Sequence, residues 1–245
     1  FVSLLVSTQF SFAQDSSPTP YKLPIQVIET ENFRALTHLI EEKMGPEYSA
    51  IRKKLDLQLL VNDPYKITMK AEADLQGRTA IVRLFGGIPR HPDMTLDGLA
   101  MIICHEIGHH LAGEPKRSAP WKWSSVEGQS DYYSGNVCLK KVWESQNHAL
   151  YIPEQLHPFI VERCHAATVA PGDFALCARG LMAAQSMTDV LKSMRRLSRK
   201  VDFDEIPPTP SVNSTYTDHP SIACRFKTLI AGVVNEDRPR CWFKP

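Results

Sequence analysis

Two histidines stand four residues apart, with a glutamate directly after the first, in His105-Glu106-Ile107-Gly108-His109. On a helix, four residues advance about 6 Å and turn about 400°, so both imidazoles fall on nearly the same face and can meet one metal ion. Glu106 lies about 100° further round, beside the metal without ligating it, where a general base for a bound water belongs. A catalytic zinc takes three protein ligands and leaves its fourth place to water. Hydrolysis of a peptide bond is the natural reaction of such a set. His110 points elsewhere and is expected at the surface or behind a ligand.

A third ligand is required. The longer HExxHxxGxxH pattern would need a histidine at 115, and that position is Pro115. The next candidate is Glu127-Gly128-Gln129-Ser130-Asp131, whose two carboxylates are again four apart on an expected helix. Glu127 would ligate the metal, and Asp131 would accept a hydrogen bond from the far nitrogen of His105 or His109, fixing its tautomer. One zinc ion per chain is therefore the expected cofactor.

The elements that must carry these residues are legible from periodicity. Thr95 can cap a helix with Asp97 in its first turn and an apolar stripe through Leu96, Leu99, Ala100, Ile103, Ile107 and Leu111, which Gly113 and Pro115 end. Upstream, Phe33, Leu36, Leu39, Ile40 and Met44 mark an amphipathic helix that Gly45-Pro46 should stop. Between them the period shortens, and residues 57–63, 65–75 and 78–85 read as two or three strands. The last of these is the expected edge strand for pairing an extended peptide. A helical segment around Glu127 continues towards Trp143, more helical material covers 155–170 and 174–200, residues 202–217 form a Pro-rich loop, and a final helix starts near Ser221. Trp121 and Trp123 lie in the 17-residue connection between His109 and Glu127, where they would line a substrate groove or pack. The expected fold is α+β, mainly helical with a small sheet, as one domain over residues 31–245.

Composition narrows the function classes. With 28 basic and 27 acidic side chains, no block of one sign favours a nucleic-acid partner. Residues 1–13 are apolar, uncharged and end in Ser11-Phe12-Ala13, as the remains of a signal peptide would; 14–30 read as a leader. Export to a periplasmic or extracellular space fits the even count of six cysteines. The pairings closest in sequence are Cys164 with Cys177 and Cys224 with Cys241, leaving Cys104 with Cys138 or Cys104 as a buried free thiol. No stable membrane insertion is expected after cleavage, and the oligomeric state is unknown from the sequence.

HEIGHH, EGQSD and the downstream Asp218-His219-Pro220-Ser221-Ile222-Ala223-Cys224-Arg225 together resemble the gluzincin metallopeptidases of the family that contains the HtpX heat-shock protease and the CAAX prenyl protease. The resemblance spans roughly residues 95–230. It implies a zincin-like domain, zinc on His105, His109 and Glu127, Glu106 as base, Asp131 behind a ligand, and His219 with Arg225 near the metal. A histidine and a cation there could stabilise the oxyanion formed on the attacked carbonyl. His219 could instead occupy the open metal position and hold the chain latent, or simply shape a turn; Tyr216 is a weaker candidate for the electrophilic role. The expected function is an exported zinc endopeptidase acting on polypeptide. The alternatives are a latent zinc-stabilised binding or chaperone-like module and a metal amidase acting on cell-wall peptide.

Overall fold

The computed structural model describes residues 31–60, 68–167 and 171–245; the expected signal peptide and leader lie outside them. Chain order is helix α1 (Glu31–Ala50), strands β1 (Lys54–Leu60), β2 (Ala71–Gln76) and β3 (Thr79–Phe85), helix α2 (Leu96–Leu111), helix α3 (Glu127–Tyr133) running through a π-helical turn (Ser134–Cys138) into α4 (Leu139–Trp143), then α5 (Pro158–Ala167), α6 (Pro171–Met194) and α7 (Ile222–Val233). The architecture of the described residues is α+β, with a small three-stranded sheet. Among the described residues no helix is long and apolar enough to cross a membrane.

Helix α2 is the axis of the molecule, because its whole length from Gly98 to His110 is buried. Thr95 Oγ1 caps it by accepting from Gly98 N at 2.9 Å. Ser186 of α6 holds the preceding turn, accepting from Thr95 N at 2.9 Å and donating to Asp93 O at 2.7 Å. Asp97, in the first turn where an acidic group suits the helix dipole, takes both arms of Arg179 from α6 at 2.7 and 2.8 Å. That guanidinium is itself sandwiched between the rings of Trp143 and Tyr151. Helices α6, α3, α1 and the sheet then close round α2, joined into one apolar core by Leu99, Ile103 and Ile107 with Phe33, Met44, Val82, Leu181 and Phe226.

Helix α1 does not stop at Gly45-Pro46 but continues to Ala50. The proline costs one backbone hydrogen bond. Its helix persists because Met44 and Tyr48, on either side of it, are fully buried and Ser49 Oγ donates to Gly45 O at 3.1 Å. At the other end, α6 stops at Met194, short of the expected 200, where Arg196 adopts a positive φ of 51°.

The sheet order is β1-β3-β2, with β1 parallel and β2 antiparallel to β3. Strand 79–85 is thus central and paired on both sides, not the edge expected from its sequence. Its alternate residues Ala80, Val82 and Leu84 are fully buried, which is why it holds the middle. The edge nearest α2 belongs to β2, which pairs with no further strand among the described residues. Phe85 N donates to Lys70 O, so the alternation of an antiparallel ladder turns the N–H and C=O of Ala71 and Ala73 outward.

All three nearest-neighbour cysteine pairs form: Cys104–Cys138, Cys164–Cys177 and Cys224–Cys241. The first ties the residue before His105 to the π-helical turn, and the third ties α7 to the tail that carries Trp242. Two glycines beside the buried charges permit close approaches. A Cβ on Gly108 would lie 2.9 Å from Ser130 Cα, and one on Gly128 would lie 2.2 Å from the ring of Trp242. Gly108→Ala therefore forces α2 and α3 apart, and a net loss of about 1–2 kcal/mol is expected, since overpacking outweighs the helix-propensity gain of alanine. Urea unfolding checks this; a variant as stable as the native chain would contradict the close approach.

Candidate metal centre

The fold brings the HExxH face of α2 against the first turn of α3. His105, His109 and Glu127 each offer a ligand atom, all within 4.8 Å of one another, and all three residues are buried. His105 Nε2 stands 3.4 Å from Glu127 Oε2, and His109 Nε2 stands 3.4 Å from Glu127 Oε1. Two imidazole nitrogens and a carboxylate in a pocket that leaves a side open are a donor set that could hold a metal ion with room for one further ligand.

The far nitrogens are committed elsewhere, which orients the near ones. His109 Nδ1 faces the carbonyl of Ser125 at 2.8 Å, with the hydroxyls of Ser130 and Ser124 at 3.0 and 3.2 Å. A carbonyl only accepts, so Nδ1 carries the proton and Nε2 presents a lone pair to the centre. His105 Nδ1 lies 2.8 Å from Asp131 Oδ1, close enough to pair electrostatically though not aligned as a hydrogen bond. Of the two histidines left open by the sequence, Asp131 therefore backs His105. Asp131 has no exposure at all, and Arg225 donates to both of its oxygens, Nε at 2.8 Å and Nη2 at 2.7 Å. The Arg225 guanidinium also stands 3.9 Å from Glu127 Oε2. It is engaged with these carboxylates, so it acts on the centre by neutralising them rather than by reaching out to an oxyanion.

Sequence reasoning missed Arg117. The connection from α2 to α3 folds back on itself: Arg117 N donates to Ser124 O, Val126 N to Pro115 O, and Lys116 bridges Ser125. This hairpin-like loop delivers Arg117 Nη2 to Glu127 Oε1 at 2.6 Å. His219 also reaches that oxygen, its Nε2 at 3.3 Å and its Nδ1 held by Asp218 Oδ1 at 3.0 Å, while about half the ring stays exposed. Tyr216 is not among the residues lining the cleft; its amide pairs with Trp242 O. His110 is buried, not at the surface. Its Nε2 meets Asp74 O at 2.9 Å, its Nδ1 meets Tyr48 Oη at 3.0 Å, and its ring stacks on Trp123, so it bolts α2 to β2 and α1. The only sequence signal for this role was a polar side chain within an otherwise apolar helix.

The electrostatics follow from burial and pairing. Burial disfavours a charged His105, but the Asp131 carboxylate overrides it and lifts the ring to about 10. His109 is pushed down to about 3 by burial and by the His105 charge. Burial pushes the Glu106 carboxyl up to about 7, although the His105 charge opposes it. Burial would also raise Glu127, yet the hydrogen bond and charge of His105 hold it well below the usual carboxylate range.

These residues line a cleft of about 500 Å³. Glu106, His105, His109, Glu127 and His219 share it with Ala71 and Ala73 of the β2 edge, the exposed Trp121, and apolar Ile88, Ile102, Met187 and Leu191. No protein-family model, curated protein or solved structure matches the chain.

Metal binding must strip the proton from His105 Nε2, whereas His109 and Glu127 are already deprotonated at neutral pH. About one proton per metal should be released at pH 7, and apparent affinity should rise about tenfold per pH unit below pH 10. Calorimetric titration in buffers of different ionisation enthalpy checks the count; no proton release would contradict a protonated resting His105.

Proposed function

We propose that the chain is an exported zinc-dependent endopeptidase of gluzincin type, acting on polypeptide. The observation that carries this reading is the convergence of His105, His109 and Glu127 with the buried Glu106 carboxyl in one open cleft. The resemblance of HEIGHH, EGQSD and DHPSIACR to the HtpX and CAAX protease family supports it, and the three disulfides support an oxidising, periplasmic or extracellular location.

His105, His109 and Glu127 would hold the zinc, one per chain. A bound zinc supplies Lewis acidity, making water acidic near neutral pH and polarising a carbonyl. Glu106, raised to about 7, is matched to carry a proton in both directions at neutral pH. It takes the proton from the attacking water as the new C–O bond forms, and gives it to the amine as the C–N bond breaks. The outward N–H and C=O of Ala71 and Ala73 on the β2 edge suit an extended backbone added as a further strand, replacing the role expected of 78–85. Arg225 keeps Asp131 ionised so that His105 is backed by charge.

A second reading concerns the resting state, and the contact of His219 Nε2 with Glu127 Oε1 favours it. His219 closes the cleft over the ligand carboxylate until substrate displaces it, making the chain latent rather than inert.

Glu106→Gln should lower cleavage of unfolded casein by about 10²–10⁴-fold while about one zinc per chain is retained. Cleavage equal to wild type in the zinc-loaded variant would sink the catalytic assignment. His219→Ala should raise the casein rate by about 3–10-fold if a closed population is being released. A fall in kcat at unchanged KM would instead assign His219 to the oxyanion.

A further inference from the structure

Glu127 offers the centre two oxygens, and each faces one imidazole. His105 Nε2 stands 3.4 Å from Oε2, and His109 Nε2 stands 3.4 Å from Oε1. Ligand atoms about 2.0–2.1 Å from one tetrahedral ion lie about 3.3–3.4 Å apart, so both oxygens are at ligating separation. Distance alone therefore does not decide whether the carboxylate grips a metal ion with one oxygen or with both. The choice has a chemical consequence, because a second oxygen fills the coordination place that a water needs.

The two oxygens differ in what stands behind them. Arg117 Nη2 donates to Oε1 at 2.6 Å, a short charge-assisted bond. Oε2 receives no such bond from Arg225, which is 3.9 Å away and spends its hydrogen bonds on Asp131. The backbone of Arg117 is pinned by its own donation to Ser124 O at 2.8 Å and by the neighbouring pairing of Lys116 with Ser125. The guanidinium is thus aimed at Oε1 from the cleft wall, with its side chain 28% exposed. A metal ion sharing Oε1 with it would set two positive centres against one oxygen in a buried site, where screening is weak. His219 Nε2, 3.3 Å from the same oxygen, stands on that side too.

We propose that Arg117 is a positioning residue that makes Glu127 a one-oxygen ligand: it holds Oε1 and leaves Oε2 to the metal ion. The place so spared stays open to the cleft that Glu106 shares. This inference rests on His105, His109 and Glu127 holding the metal, and not on which bond the chain hydrolyses.

Cobalt(II) is the probe, because its visible absorption is strong in four-coordinate sites and weak in five-coordinate ones. The native full chain loaded with cobalt should show the strong band. Arg117→Ala should still bind cobalt but lose most of that intensity, as Oε1 joins Oε2 on the ion. Millimolar guanidinium, entering the space left at the cleft wall, should restore the band where equal sodium does not. Arg117→Met, which keeps the stem of the side chain without its donors, should also lose the band. A band of native intensity in either variant, with a native near-UV spectrum, overturns the proposal. Intensity that guanidinium does not restore, or a variant that no longer takes up cobalt, assigns Arg117 to the fold of its loop and overturns it as well. A weak band in the native chain does so too, since both oxygens would already bind, and a native chain that takes up no cobalt removes the metal centre with it. If neither variant folds, X-ray absorption of the zinc-loaded native chain decides by counting one carboxylate oxygen or two. A native chain with the strong band that leaves casein uncut removes the peptidase reading and leaves this assignment standing.

Discussion

A run of buried charge through the middle of the molecule is the constraint on which the rest depends. Arg225, Asp131, His105 and Glu127 follow one another at contact distance, and none is more than a few per cent exposed. Ions removed from water are tolerable only when each meets an opposite charge in good geometry. Every helix around them is therefore held to a narrow placement: α2 supplies the imidazole, α3 both carboxylates, α7 the guanidinium. Gly108 lies where the α2 backbone comes close enough to Ser130 of α3 for these partners to touch, and Gly128 leaves room for the Trp242 ring.

The same constraint separates the three carboxylates around the two histidines by role. Glu127 and Asp131 are surrounded by positive partners and stay ionised, whereas Glu106 has burial as its dominant influence and is lifted to about 7. Two carboxylates pushed apart in this way are the usual arrangement for one that holds charge and one that moves protons. Arg117 and His219 meet at the single oxygen Glu127 Oε1. That oxygen is the point where the loop after α2 and the segment before α7 are both registered against the centre.

What the sequence revealed was whatever repeats locally. The stripe and cap of α2, the i,i+4 pairs His105/His109 and Glu127/Asp131, and the cysteine pairs 164/177 and 224/241 were readable, because each follows from helical geometry or chain proximity, whereas Cys104 was open between Cys138 and a free thiol until the packing of α2 on the π-helical turn decided it. The neighbour order of the strands was not, since hydrophobic alternation in 79–85 reports burial and says nothing of which strand lies beside it. Pro46 misled because tertiary burial of Met44 and Tyr48 outweighed a local breaking signal. Arg225 was visible only as a residue after a His-Pro pair, and its service to Asp131 is a long-range contact that no local pattern encodes. Arg117 and His110 carried no motif, and only the folded-back loop and the β2 edge give them their roles.

The three side chains that could hold a metal ion come from the short stretch 105–127, whereas Arg225, which neutralises Asp131 behind them, lies 94 residues beyond it. Local contacts form before distant ones because less loop entropy opposes them. The centre thus has an order of assembly built into its chain topology. Helices α2 and α3 meet through segments close in sequence, and Arg225 joins them only through α7. The charge balance behind the two histidines therefore hangs on the last helix of the chain, while the cleft on their other side stays open.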